Sequence, residues 1–229
     1  MKRNEVIQKI VDRKKARTYL EIGVGSGNNF FKIKVKEKIA VDPAFKFSTI
    51  RRLRWMIKNP YNLFAKYYPT TSDHFFEKAE NLSPPDVVFI DGLHEYRQAL
   101  KDVENTLKHL KKNGVIVMHD CSPPSAAAAT TSKSYEHVAS LHLPGWEGTW
   151  CGDVWKAICH LRSERRDLRI FVLDCDYGLG VITRGNPENI LDLIESDINE
   201  MTYEEFSQQR KELLNLKEEN YLAEFLETI

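Results

Sequence analysis

Between Thr18 and Asn29 a short run of strand-forming residues ends in glycines at 23, 25 and 27 and then in two asparagines. No other stretch restricts the fold so tightly. Glycine at alternate positions removes every second Cβ, so the chain can turn sharply after a strand and let a ligand approach bare backbone. Such a loop belongs at the carboxyl end of a strand in an α/β sheet. The dinucleotide fingerprint, glycine-x-glycine-x-x-glycine, fails in both registers, because its third glycine would fall on Asn28 counted from Gly23 and on Phe30 counted from Gly25.

Glu21 narrows the ligand. A carboxylate two residues before the first glycine repels a pyrophosphate and suits a cation. Asp42 ends the next apolar run, Lys38 to Val41, about 20 residues further on, where an acidic residue accepts hydrogen bonds from ribose hydroxyls. A cationic nucleoside without phosphate satisfies both acids, and S-adenosylmethionine, with its sulfonium and ammonium, is such a molecule. Glu21, Gly23, Gly25, Gly27 and then Asp42 resemble motifs I and II of the class I S-adenosylmethionine-dependent methyltransferases.

Composition bounds the rest. The 229 residues suffice for one α/β domain with a helical appendage. Lysine plus arginine balance aspartate plus glutamate at 33 each, so no global field favours nucleic acid and none is expected as a partner. The cysteines at 121, 151, 159 and 175 include no Cys-x-x-Cys pair, which argues for reduced thiols in a cytoplasmic protein. No run approaches the ~18 apolar residues of a membrane span, and no membrane partner is expected.

Taken in order, Val6, Ile7, Ile10 and Val11 recur at helical spacing and predict a helix over 4–14. Pro43 stops the second strand, and Ser48 is placed to cap a helix running through Ile57. Arg51, Arg54 and Lys58 share one face of that helix and read as a solvated surface, with an anion site as the alternative. Tyr61, Phe64, Tyr67 and Tyr68 read as a core-facing connection into strand three. Ser72 or Asp73 can cap the next helix, and both stand where the turn after strand three of class I methyltransferases meets the adenine. Asp86 to Asp91 is the strongest strand, apolar throughout as in the middle of a parallel sheet. Asp91 therefore sits at a strand end with His94 three residues on, where an imidazole beside a carboxylate can act as a base. A helix over 95–112 leads to a fifth strand that ends in His119 and Asp120, beside Asp91 if sequential strands are neighbours.

Here the resemblance sharpens. Asp91-Gly-Leu-His-Glu-Tyr96, the long helix and Gly114-Val-Ile-Val-Met-His-Asp120 are similar to the catalytic half of a class I group that includes macrolide-sugar O-methyltransferases, with cephalosporin hydroxylase-like proteins as relatives. The likeness spans residues 18–122. It implies that His94 is the catalytic base with Asp91 beside it, and that Asp91 and Asp120 hold a magnesium ion. The chain departs at 119, where those proteins can carry an acidic residue.

Residues 121–149 read as an irregular insert or lid. The Trp150-Cys-Gly-Asp-Val-Trp-Lys156 run opens a helix that Asp153 is spaced to cap, with Asp153 and Lys156 as secondary site candidates. The segments 168–174 and 179–184 form an antiparallel hairpin. One helix opens at Pro187 and another runs from Met201 to about Thr228, either folded back on the domain or forming a homodimer. The expected architecture is α/β: a Rossmann-like, doubly wound, seven-stranded, mostly parallel sheet with an antiparallel last strand, as residues 1–185, followed by C-terminal helices over 186–229. The expected activity is O-methylation of a small molecule, a sugar or glycosylated metabolite. A non-catalytic S-adenosylmethionine-binding module acting through a partner is the alternative.

Overall fold

A computed structural model describes residues 1–79 and 82–229. The chain runs α1 (Arg3–Lys14), β1 (Thr18–Ile22), β2 (Glu37–Val41), α2 (Thr49–Lys58), β3 (Lys66–Tyr68), α3 (Ser72–Glu77), β4 (Val87–Ile90), α4 (Tyr96–His109) and β5 (Val115–Met118). It continues through α5 (Tyr135–Ser140), α6 (Trp155–Glu164), β6 (Leu168–Leu173), β7 (Leu179–Arg184), α7 (Glu195–Glu200), α8 (Tyr203–Leu213), β8 (Leu216–Lys217) and α9 (Tyr221–Glu227). The strands form one sheet in the order β3-β2-β1-β4-β5-β7-β6-β8. Among the described residues, β7 alone runs antiparallel to both its neighbours.

Every residue of β1, β4 and β5 is buried, which is possible only where both faces of a sheet are covered. Alternate side chains divide between two cores. Leu20, Val88, Ile90 and Ile116 pack with Val103 and Leu107 of α4, Ile158 of α6 and Phe206 of α8. Tyr19, Val87, Phe89 and Val117 face the other way, toward Val6, Ile7 and Ile10 of α1 and Phe225 of α9. The amphipathic pattern of α1 is thus explained by packing on the sheet. The strand order reverses between β1 and β4, and the chain leaves these neighbours in opposite directions, opening a crevice beyond their carboxyl ends.

Several local expectations are corrected. The sheet has eight strands where seven were expected, because the stretch expected as one helix from Met201 to Thr228 breaks at Asn215, in a left-handed conformation with φ 47°, and adds β8 to the edge beside β6. No helix opens at Pro187, and α7 begins only at Glu195. The C-terminal elements pack on the domain itself: Phe206 stacks on Trp155 with ring centroids 4.2 Å apart, and Phe225 meets Phe171 at 5.1 Å. Of the four aromatics before and in β3, Tyr61, Phe64 and Tyr68 are exposed rather than core-facing. Ser48 does cap α2 by accepting from the Arg51 amide. The α3 cap is Thr71 rather than Ser72 or Asp73. All four cysteines are free thiols. Among the described residues no helix is long and apolar enough to cross a membrane.

Candidate active site

The glycine loop leaves β1 directly against the end of β4. Gly23 has φ 81°, and a Cβ there would lie 1.9 Å from the Asp91 carbonyl oxygen, so any side chain would push the two strand ends apart. Beyond this contact lie two adjoining cavities that share Gly23, Gly25 and Asp91. One, of about 550 Å³, is lined by Val41, Asp42, Ser72, Asp73, Leu93 and Gln98. The other, of about 640 Å³, is lined by Glu21, Asn28, His94, His119, Asp120 and Trp150, with Arg3 and Asp176.

In the first cavity each acid already has its partners. Asp42 Oδ2 accepts from the Gly25 amide at 2.7 Å and Oδ1 from the Ala44 amide at 2.7 Å, which holds the carboxylate at the cavity edge and leaves each oxygen a further lone pair. Asp73 takes an ion pair from Lys101 at 2.7 Å, and Lys101 holds its carboxyl below the usual range. Gln98 donates to both Ser72 and Asp73 at 3.3 Å. Gly27 lies away from both cavities, where a Cβ would strike the Phe31 ring.

Glu21 is buried where the second cavity begins. Its Oε2 accepts from the Tyr19 hydroxyl at 2.5 Å and from Asn29 Nδ2 at 2.7 Å. Burial nevertheless pushes its pKa up to about 8, so in the ligand-free protein the group is largely protonated at neutral pH. That differs from the standing negative charge expected of it, and makes its ionisation something a cationic ligand must induce.

Charges crowd together at the ends of β4 and β5. Asp91 and His94 arrive from β4 and the turn after it, while His119 and Asp120 end β5. Asp120 is 3% exposed and adopts φ 59°, a costly backbone for a non-glycine residue, which aims its carboxylate inward. His94 Nδ1 donates to the Trp150 carbonyl at 2.9 Å. Its Nε2 therefore faces the acids, 3.2 Å from Asp120 Oδ2 and 3.5 Å from Asp91 Oδ1. His119 Nδ1 lies 2.8 Å from Asp120 Oδ2 and 3.2 Å from Asp91 Oδ1. Arg3, at the start of α1, reaches Asp91 Oδ2 at 2.8 Å and Asp176 Oδ2 at 2.9 Å.

Three carboxylates here meet one permanent cation, and the imidazoles supply the balance. Burial opposes charge on both histidines, but the hydrogen bond of Asp91 and the charges of Asp120 and Asp91 outweigh it at His94 and raise its pKa. At His119 the charges of Asp91 and Asp120 overcome burial by a wider margin. Burial likewise works against ionised Asp91, and the two imidazoles hold it ionised. Asp91, His94 and Asp120 each offer a ligand atom within 4.8 Å of the others, and they are the group of that kind found among the described residues. Two carboxylate oxygens and one imidazole nitrogen, with the imidazole oriented through its other nitrogen, form a donor set that suits a divalent ion accepting mixed nitrogen and oxygen ligands.

The expected trio of Asp91, His94 and Asp120 is thus brought together, and Glu21, Gly23, Gly25, Asp42, Ser72 and Asp73 all line the paired cavities. Asp153 and Lys156 are not at the site. Asp153 caps α4 by accepting from the Tyr96 amide at 2.6 Å, and Lys156 donates to the Asn199 carbonyl. The insert does reach the site, since Tyr135, Gly148 and Thr149 line the second cavity beside Trp150. Arg3, Asp176 and Gly152 were not foreseen. A Cβ at Gly152 would lie 1.8 Å from the His94 carbonyl oxygen, so this glycine lets the Trp150 segment close on the histidine.

A family model of methyltransferase domains matches residues 20–121, which include Glu21, the glycine loop, Asp42, Asp91, His94 and Asp120 but not Arg3, Trp150 or Asp176. Residues 20–121 thus match a methyltransferase domain. Solved structures of this fold include the O-methyltransferase TomG from Streptomyces achromogenes in complex with S-adenosylmethionine, with 10% identity, TM-score 0.55 and coverage of 80% of this chain and 79% of that one. The S-adenosylhomocysteine-bound methyltransferase PaMTH1 of Podospora anserina has 16% identity and TM-score 0.56, over 80% and 78% of the two chains. An O-methyltransferase from Bacillus cereus in complex with S-adenosylhomocysteine has 17% identity and TM-score 0.50, over 78% of each. At these identities the likeness to the methyltransferase domain is one of fold. No match is found among curated proteins.

Proposed function

We propose that this methyltransferase moves the methyl group of S-adenosylmethionine onto a hydroxyl oxygen of a small molecule, a sugar or glycosylated metabolite. The observation that carries the reading is the orientation of His94. Its Nδ1 proton is spent on the Trp150 carbonyl, so Nε2 is the atom presented beside Asp91 and Asp120, in the cavity adjoining the one lined by Asp42. Asp42 and the glycine loop bind the nucleoside, Ser72 and Asp73 lie toward the adenine, and Glu21 answers the cationic end of the cofactor.

The acceptor hydroxyl attacks the methyl carbon as the carbon–sulfur bond breaks. The bonding pair stays on sulfur, which leaves S-adenosylhomocysteine, and the hydroxyl proton passes to His94 Nε2 in those molecules whose Nε2 is unprotonated, a fraction that the raised pKa of His94 reduces. Asp91 and Asp120 orient the acceptor. If a divalent ion such as magnesium is used, Asp91, Asp120 and His94 are the residues to hold it, and its chemistry would be to lower the pKa of a bound hydroxyl. His94 would then be a ligand rather than a free base, so the two roles separate by experiment. The protein is incubated with methyl-labelled S-adenosylmethionine and a panel of sugars and glycosides, with and without chelator. Label in a methyl ether supports the reading, and label found only on nitrogen or carbon acceptors overturns it.

A further inference from the structure

Helix α2 turns the wrong face to water. None of its residues is buried, yet Ile50, Leu53 and Ile57 stand at helical spacing on one outward stripe, with Ile57 83% exposed. The stripe continues into the next turn through Leu63 and Phe64, the latter 80% exposed. Beside it lie Arg54, Lys58 and Arg51, one step round the helix. The inward face is held by other contacts: Trp55 stacks on Phe31 at 5.9 Å, and Arg52 lies over the Tyr67 ring at 4.4 Å.

The charge around this stripe is one-sided. From Pro43 to Ser72 the chain carries Lys46, Arg51, Arg52, Arg54, Lys58 and Lys66 and not one aspartate or glutamate, although the whole chain balances 33 basic against 33 acidic residues. An apolar stripe flanked by basic and aromatic residues at a helix surface matches the interfacial region of a bilayer with anionic lipids, where apolar side chains enter the headgroup boundary and lysine and arginine meet phosphates.

We infer that α2 and the turn after it, through Phe64, dock this protein on an anionic phospholipid membrane. A second copy is the poorer occupant, because a two-fold contact through this face would set its basic residues against the same residues of the partner. Nucleic acid would use the charges but leave Ile57 and Phe64 in water. Docking would also bring the membrane near the chemistry. Arg51 donates to Asn28 at 2.5 Å, and Asn28 lines the cavity that holds His94.

The test is co-sedimentation of the full chain with vesicles of phosphatidylcholine alone and of phosphatidylcholine mixed with phosphatidylserine, with gel filtration in parallel. The expected result is binding to the mixed vesicles only, reversed by high salt. The double variants Leu53→Asp/Ile57→Asp and Arg54→Glu/Lys58→Glu should each lower the partition coefficient by about tenfold or more while melting as the parent does. A parent protein that stays in the supernatant with the mixed vesicles overturns the inference. So does undiminished sedimentation of either folded variant. A parent that runs as a dimer, split by Leu53→Asp/Ile57→Asp, gives the face to a second copy instead.

Discussion

The two adjoining cavities share a wall and differ in how their charges are settled. Around Ser72, the acids Asp42 and Asp73 are answered by backbone amides, an amide side chain and Lys101. Around Asp91 and Asp120 the carboxylates crowd two imidazoles whose proton content depends on one another, and Asp120 is held in a strained backbone. The difference fits the division of tasks proposed for the two cavities. A binding surface works best when it is finished beforehand, whereas proton transfer needs groups whose charge can change at small cost.

The comparison breaks first at His94. His94→Ala should slow turnover by a factor of ~100 to 10,000 while cofactor affinity stays nearly unchanged, read by single-turnover kinetics and calorimetry. A mutant that melts lower yet keeps its rate per folded molecule would make His94 a tie between strand ends. Removing divalent ions comes next. If Asp91, Asp120 and His94 hold an ion, a chelator should cut activity on the order of tenfold or more, and magnesium or manganese should restore it. Full activity in excess chelator leaves those carboxylates as direct acceptors for the substrate.

On the finished side, Asp42→Ala should weaken S-adenosylmethionine binding by ~1.5 to 3 kcal/mol, the range for hydrogen bonds to a charged group. An unchanged dissociation constant would place the ribose elsewhere. Glu21 belongs to both regions and gives the pH test. Its pKa near 8 means that a cationic ligand must displace a proton below that pH. Affinity should therefore rise with pH, about two- to tenfold from 7 to 8, level off above, and lose this slope in Glu21→Gln. The smallest effect is expected at Asp73. Its charge is engaged by Lys101 on a half-exposed face, so Asp73→Ala should cost less than ~1 kcal/mol in cofactor binding.

Much of this was legible in the chain because it is local. The strands at 18–22, 87–90 and 115–118 announce themselves as apolar runs, the glycines between 23 and 27 mark the ligand loop, and Asp91, His94 and Asp120 stand at or just beyond strand ends whatever else the fold does. Where local signals misled, a partner from elsewhere decided the outcome. Asp153 has the spacing to cap its own helix, but the amide it satisfies is that of Tyr96 in α4. Phe64 and Tyr68 look like core residues because hydrophobicity alone does not say which face of a connection is covered.

The sequence by itself determined the parallel sheet, the glycine loop after β1 and the acids and imidazole at the ends of β4 and β5, since strand periodicity and turn chemistry act over a few residues. Only the tertiary structure could decide that Arg3 pairs with Asp91 across 88 residues of chain, that Trp150 orients His94 across 56, and that Asp176 and His119 complete the charge balance. These contacts follow from how α1, the β6–β7 turn and the Trp150 segment pack over the same strand ends, and packing between distant segments leaves no periodic trace in any one of them.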